Sequence, residues 1–147
     1  MKHLFIPILV FFVISCKSMQ AQKIEQGITG TVRWYEGNMM PGPDTKTNEG
    51  QAVEREIHIY ELVTMQAAHR EGELYKDVPS KLVTTIMTDR SGNFSVSLPP
   101  GRYSLFTKEE DGLFANTFDG EGNINPVTVK EGKVTEVKIN INYKAYY

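Results

Sequence analysis

Apolar residues follow two patterns along this chain, an unbroken run near the start and a regular alternation after it. From Gly27 onward the period is two rather than 3.6, which predicts strands. Ile28, Gly30, Val32 and Trp34 alternate with Thr29, Thr31, Arg33 and Tyr35. Ile57 and Ile59 share one face of the stretch 55–62, and 82–88 is rich in β-branched residues. Phe94, Val96 and Leu98 alternate with Ser95 and Ser97, and Tyr103 and Leu105 open the next strand. Shorter candidates lie at 113–118 and 126–130. The last is long, with Val137, Ile139, Ile141 and Tyr143 alternating with Glu136, Lys138, Asn140 and Asn142.

Turn signals separate these stretches at 89–92, at Pro99, Pro100 and Gly101, at 119–123 and at Glu131 and Gly132. Only 63–73 could form a helix, of a turn or two before Gly72. The expected fold is all-β, a two-sheet antiparallel sandwich of about seven strands. Phe94, Val96, Tyr103, Leu105, Val137 and Ile139 are expected to face the space between the sheets. Two connections, 37–52 and 64–81, are long for a sandwich, and such loops commonly carry binding. If each strand reverses the last, 37–52 lies at the same end as 108–112, and 64–81 lies at the other.

The stretch from Thr88 to Leu105 carries Thr88, Asp89, Gly92, Phe94, Leu98, Pro100, Gly101 and Tyr103 in an order that resembles carboxypeptidase regulatory-like domains. The opening at 27–32 is similar to that family's first strand, and 52–60 to its second. The resemblance covers most of 27–143 and implies a prealbumin-like (transthyretin-like) sandwich in a structural, docking or accessory role. Enzymes on related sandwiches are a poor fit. The hydroxyisourate hydrolases end in Tyr-Arg-Gly-Ser, whereas this chain ends in Lys144, Ala145, Tyr146 and Tyr147. The intradiol dioxygenases ligate iron with two tyrosines and two closely spaced histidines, and only His58 and His69 remain after the leader. Self-crosslinking adhesin relatives need an acid about four residues after the hairpin tyrosine, where Thr107 stands. Glu109 and Glu110 are expected beyond it in the loop, and Lys23 and Asn140 would be the reacting partners.

The unbroken run, Leu4 to Ile14, follows Lys2 and His3 and is too short to span a bilayer. It closes on Val13, Ile14, Ser15 and Cys16, which resembles the bacterial lipobox. Residues 1–15 are therefore read as a lipoprotein signal peptide, Cys16 as the lipidation site, 16–26 as a polar tether and 27–147 as the domain. Ordinary cleavage near Ala21 is the competing reading, and it lacks a good small-residue pair. A diacylated cysteine gives stable anchoring. Lys17 is not the aspartate that retains lipoproteins in the inner membrane, so the outer membrane is expected if the cell is Gram-negative.

Cys16 is the only cysteine, so its acylation removes disulfides, metal thiolates and cysteine catalysis together. Formal charge is −2; losing Lys2 leaves 15 of the 16 basic residues against 18 acidic ones. No basic cluster is present, which argues against nucleic acid as a partner. Glu56 and His58 share a strand face and, with Glu54, could hold a metal if another strand gave a third ligand; a solvated face is the simpler reading. Asp119, Glu121 and Asn123 begin like a calcium loop, but Ile124 stands where glycine is needed and Lys130 where glutamate is needed, so a plain turn is expected. Trp34 and Tyr35, or Tyr143, Tyr146 and Tyr147, could form an aromatic platform, with Trp34 the better core residue. Met39 and Met40 read as a loop apex.

Together these predict a non-enzymatic, lipid-anchored envelope module that binds another envelope protein or a ligand, with no catalytic, cofactor or metal residues. A carbohydrate- or metal-binding surface accessory protein is the alternative. A hydrolase has no visible nucleophile–base pair to support it.

Overall fold

The alternation is realised as strands throughout the computed structural model, which describes residues 23–43 and 48–147. The predicted signal, Cys16 and the first part of the tether lie outside the described residues. One sheet has four strands. Its centre is β1 (Gly27–Asn38), bonded on one edge to β11 (Val134–Tyr146). The other edge of β1 serves β2 (Gln51–Ala52) and β7 (Asn93–Ser97) in turn. The second sheet has seven strands. It runs β4 (His69–Glu71), β5 (Leu74–Asp77), β9 (Gly112–Phe114), β8 (Gly101–Glu109), β3 (Glu56–Glu61) and β6 (Leu82–Met87). The seventh strand, β10 (Pro126–Val129), shares an edge of β8 with β9.

The two-sheet sandwich expected from the pattern is present, and no described residue is helical. Pairing is antiparallel with one exception: β1 and β11 run parallel, from Gly27 opposite Val134 to Asn38 opposite Tyr146. Alternation has the same period in both pairings, so the pattern does not reveal direction. Parallel neighbours need a long crossover, and here the whole intervening domain supplies it.

The core fills with inward residues of both sheets: Ile28, Val32, Phe94, Ile139 and Ile141 from one, Ile57, Ile59, Tyr103, Leu105 and Phe114 from the other. Val96 and Val137 are partly buried against them, so all six expected core positions pack there. Gly30 faces Phe94 and Val137; a Cβ would lie 2.9 Å from the ring and 2.3 Å from the Val137 carbonyl.

Segment 63–73 is not a helix. The Thr64 carbonyl accepts from the Ala67 and Ala68 amides, both at 3.2 Å, and the turn goes no further. The chain then forms the β4–β5 hairpin about Gly72, whose φ is +60°. A single turn fixes several dihedrals for little return, whereas β5 gains pairing with β9. This excursion crosses the outer face of the second sheet and covers a satellite core of Val63, Tyr75, Phe106, Ala115 and Ile124. The long connection 64–81 is thus largely packed structure.

Candidate functional site

Four strand faces that are aliphatic in mid-sandwich change character at the same end. In β8 the inward series Tyr103, Leu105, Thr107 continues to Glu109, which is buried. In β11, Ile139 and Ile141 lead to Tyr143; in β1, Ile28 and Val32 lead to Trp34. Arg55 precedes Ile57 and Ile59 on the inward face leading into β3. The interior of the sandwich ends in a polar and aromatic plug.

The plug is closely connected. Tyr143 donates its hydroxyl to Glu109 Oε2 at 3.1 Å, and Arg55 Nε lies 3.4 Å from Glu109 Oε1. Glu109 Oε1 is buried and has no hydrogen-bond partner among the described residues. The Arg55 guanidinium stands 5.3 Å from the Trp34 ring centre, and Lys144 Nζ 5.8 Å from it. Trp34 and Tyr143 meet edge to face at 5.4 Å, a favoured aromatic geometry. Burial first, then the charge and hydrogen bond of Glu109, push the Tyr143 hydroxyl up to about 12.

A depression of 320 Å³ opens over this plug, lined by Trp34, Arg55, Lys108, Glu109, Glu110, Tyr143 and Lys144. Three cations against two acids leave it slightly positive. Between Trp34 and Glu36 the β1–β11 register slips, because β11 spends three residues where β1 uses two. Such a bulge re-aims side chains, and here Tyr143 and the adjacent Lys144 both reach the plug. Backbone bonds fix Arg55: its amide donates to Thr88 Oγ1 at 2.7 Å, and that hydroxyl donates to the Val53 carbonyl at 2.8 Å.

Several expected residues fall elsewhere. Glu109 belongs to β8 and not to the loop, because the alternation of the strand simply continues through it. Following that alternation two residues further would have found it. Arg55 carried no signal of its own. Trp34 is only half-buried and lines the depression while packing against the core. Tyr146 and Tyr147 are exposed, whereas Tyr143 is half-buried in the plug. Lys23 and Asn140 are also exposed, and Thr107 is fully buried, its hydroxyl without a partner among the described residues.

Glu56 and His58 do share the outer face of β3, with Nε2 of His58 2.5 Å from Glu56 Oε1. Among the described residues, no three or more His, Cys, Asp or Glu side chains converge in a way that could hold a metal. The loop at 119–123 is closed by its own donors. Asp119 Oδ1 accepts from the Glu121 and Asn123 amides, Oδ2 accepts from Asn123 Nδ2, and Arg102 pairs with the same carboxylate at 3.1 Å. The Asn123 bonds foremost hold the Asp119 carboxyl below its ordinary range. Met39 Sδ accepts from Asn48 Nδ2 at 3.3 Å, and Met40 is exposed.

These features define a two-sheet all-β sandwich with an aromatic and charged plug at one end. Comparison of the chain with family models, curated proteins and solved structures finds no match.

Proposed function

We propose that this chain is a non-enzymatic envelope lipoprotein, anchored through Cys16, whose carboxypeptidase regulatory-like sandwich binds a partner at the plugged end. The outer membrane is its place if the cell is Gram-negative. The observation that carries the reading is the depression over Trp34, Arg55, Glu109, Tyr143 and Lys144. It combines an aromatic ring, cationic side chains and a buried carboxylate oxygen without a hydrogen-bond partner among the described residues. A few convergent polar groups beside aromatic surface are the usual make-up of a binding site. The plug offers Glu109 as acceptor and Arg55 and Lys144 as donors, but no nucleophile beside a base. His58, the half-buried histidine, is tied to Glu56 on the outer face of β3.

Trp34 is the only tryptophan, so its emission reports on the site directly. The intact lipoprotein in detergent is titrated with envelope membrane-protein extract and, separately, with solubilised envelope polysaccharide. A saturable emission change that Lys144→Ala and Arg55→Lys weaken at least fivefold is expected for one of them. A response to neither, or one indifferent to both substitutions, overturns the reading. A response to polysaccharide alone selects the carbohydrate-binding alternative, which the Trp34 ring favours. The anchor is tested by fatty-acid labelling in cells: Cys16→Ser should abolish incorporation, and equal labelling would remove the claim.

A further inference from the structure

Glu109 spends its charge inside the plug, while Lys144 beside it keeps its own. The Glu109 carboxylate accepts from the Tyr143 hydroxyl and pairs with Arg55 Nε. Of the other guanidinium nitrogens, Nη1 donates to the Glu54 carbonyl at 3.1 Å, and Nη2 has no hydrogen bond among the described residues. Lys144 pairs with no carboxylate among the described residues. Its ammonium stands 5.8 Å from the Trp34 ring centre and 5.9 Å from that of Tyr143. Two positive groups thus share one indole, and Glu109 answers only one of them. Glu110, on the wall of the depression, is exposed and pairs with no cation among the described residues. A ligand seated here must offer an anion to the cations and a hydrogen-bond donor to Glu110. The volume of 320 Å³ lies at the small end of the roughly 300–1,000 Å³ of ligand pockets, which suits a single ring or side chain.

We propose that the depression takes one uronic-acid residue of an acidic polysaccharide, with its carboxylate between Arg55 and Lys144 and a hydroxyl on Glu110. This names the ligand class of the binding site argued above and rests on that reading. A uronate ring carries a carboxylate and hydroxyl donors together. An aspartate or glutamate side chain has only the carboxylate, and it would meet Glu110 with like charge. A neutral sugar has the donors but leaves the cations unanswered. The aromatic wall fits the same ligand, since the negative faces of Trp34 and Tyr143 attract the polarised C–H groups of a sugar ring. The position of the site favours a ligand beyond the anchoring bilayer over its headgroup phosphates. Gln26 Nε2 donates to the Leu98 carbonyl and its Oε1 accepts from the Gly132 amide, both at 2.9 Å, while the Gly27 amide donates to the Lys133 carbonyl at 3.1 Å. The tether is thereby held at the start of β1, and the strand from Gly27 to Trp34 sets the depression about 23 Å from that exit at about 3.3 Å per residue.

The experiment follows Trp34 emission of the full lipoprotein in uncharged detergent as oligomers of galacturonate and of glucuronate are added. A saturable change is expected with at least one of them, weakening as salt is raised. The methyl ester of the same oligomer, which keeps the hydroxyls and loses the charge, should bind about tenfold more weakly, and Lys144→Ala should weaken the free acid by a similar factor. Oligoglutamate of equal charge should not compete. Glu110→Ala separates the two chemistries by sign, because it removes an acceptor from a sugar hydroxyl but a repulsion from an acidic peptide. Weaker uronate binding is expected from it. Both substituted side chains are exposed, so the fold is kept. No response to either uronate, equal binding of the ester, competition by oligoglutamate, or tighter uronate binding by Glu110→Ala would each overturn the proposal. If the emission still responds to membrane-protein extract, the uronate is lost and the plug stands as a binding site; silence toward every extract removes both.

Discussion

Phe94 sits in the core beneath Gly30, where no side chain larger than hydrogen fits between the ring and β11. Phe94→Ala should therefore leave a cavity and cost about 3–5 kcal/mol, read from denaturant unfolding. A loss below about 1 kcal/mol would mean that the site collapses onto the gap. The surrounding motif was legible because its residues act locally. Asp89 Oδ1 accepts from the Ser91 and Asn93 amides, Gly92 takes a φ of +76°, and the Tyr103 hydroxyl donates to the Pro99 carbonyl at 2.7 Å. The plug was not legible, because Arg55, Glu109 and Tyr143 are far apart in sequence and meet only through strand register. Its chemistry makes a separate prediction. The folded-state pKa of Tyr143 lies above the ordinary tyrosine value of 10.0, at about 12, so the folded chain holds that proton more tightly. The resulting stabilisation is complete below pH 10 and is lost as pH rises from 10 toward 12. Burial raises Tyr60, Tyr75 and Tyr103 as well, so the comparison must be with Tyr143→Phe. Wild type should lose stability faster than that variant across this window; parallel curves would contradict the assigned burial and contact with Glu109.

At the scale of elements, the long alternating strands were readable, as were the short β9 and β10, whereas β2, β4 and β5 were not. β2, β4 and β5 have two, three and four residues, too few for a period to show. Their existence depends on neighbours: β5 is held by β9, and Tyr75 packs edge to face on Phe106 at 5.4 Å. The same dependence explains why 63–73 has no helix. Ala67 and Ala68 favour one locally, but the backbone finds its partners in the sheet and Tyr75 finds burial on its outer face. Tyr75→Ala should loosen this excursion without unfolding the sandwich, since the satellite core is separate from the main one. Hydrogen exchange is the measurement. Amides of 69–77 should lose protection by an order of magnitude or more, while those of β1 and β11 keep theirs. A uniform loss over both regions would show the two cores to be one cooperative unit.

For the whole molecule, the decisive contact joins the first and last of the described strands. β11 runs parallel to β1 along nearly its full length and gives Ile139 and Ile141 to the core and Tyr143 to the plug. Without β11, β1 loses one bonded edge and the core loses aliphatic residues from one face. Folding must also wait for β11 to be made, because pairings of such sequence separation form only after a large loop has closed. Such a chain suits the proposed export route, in which a leader holds the start while the rest passes through unfolded. A chain ending at Lys133 should therefore show no cooperative melt and no protected amides, although ten of the eleven strands remain in its sequence. Adding a peptide of residues 134–147 in trans should restore both, together with the blue-shifted emission of Trp34 as Tyr143 closes over it. If the truncated chain melts cooperatively by itself, the seven-stranded sheet and its satellite core suffice for folding, and β11 completes only the plug.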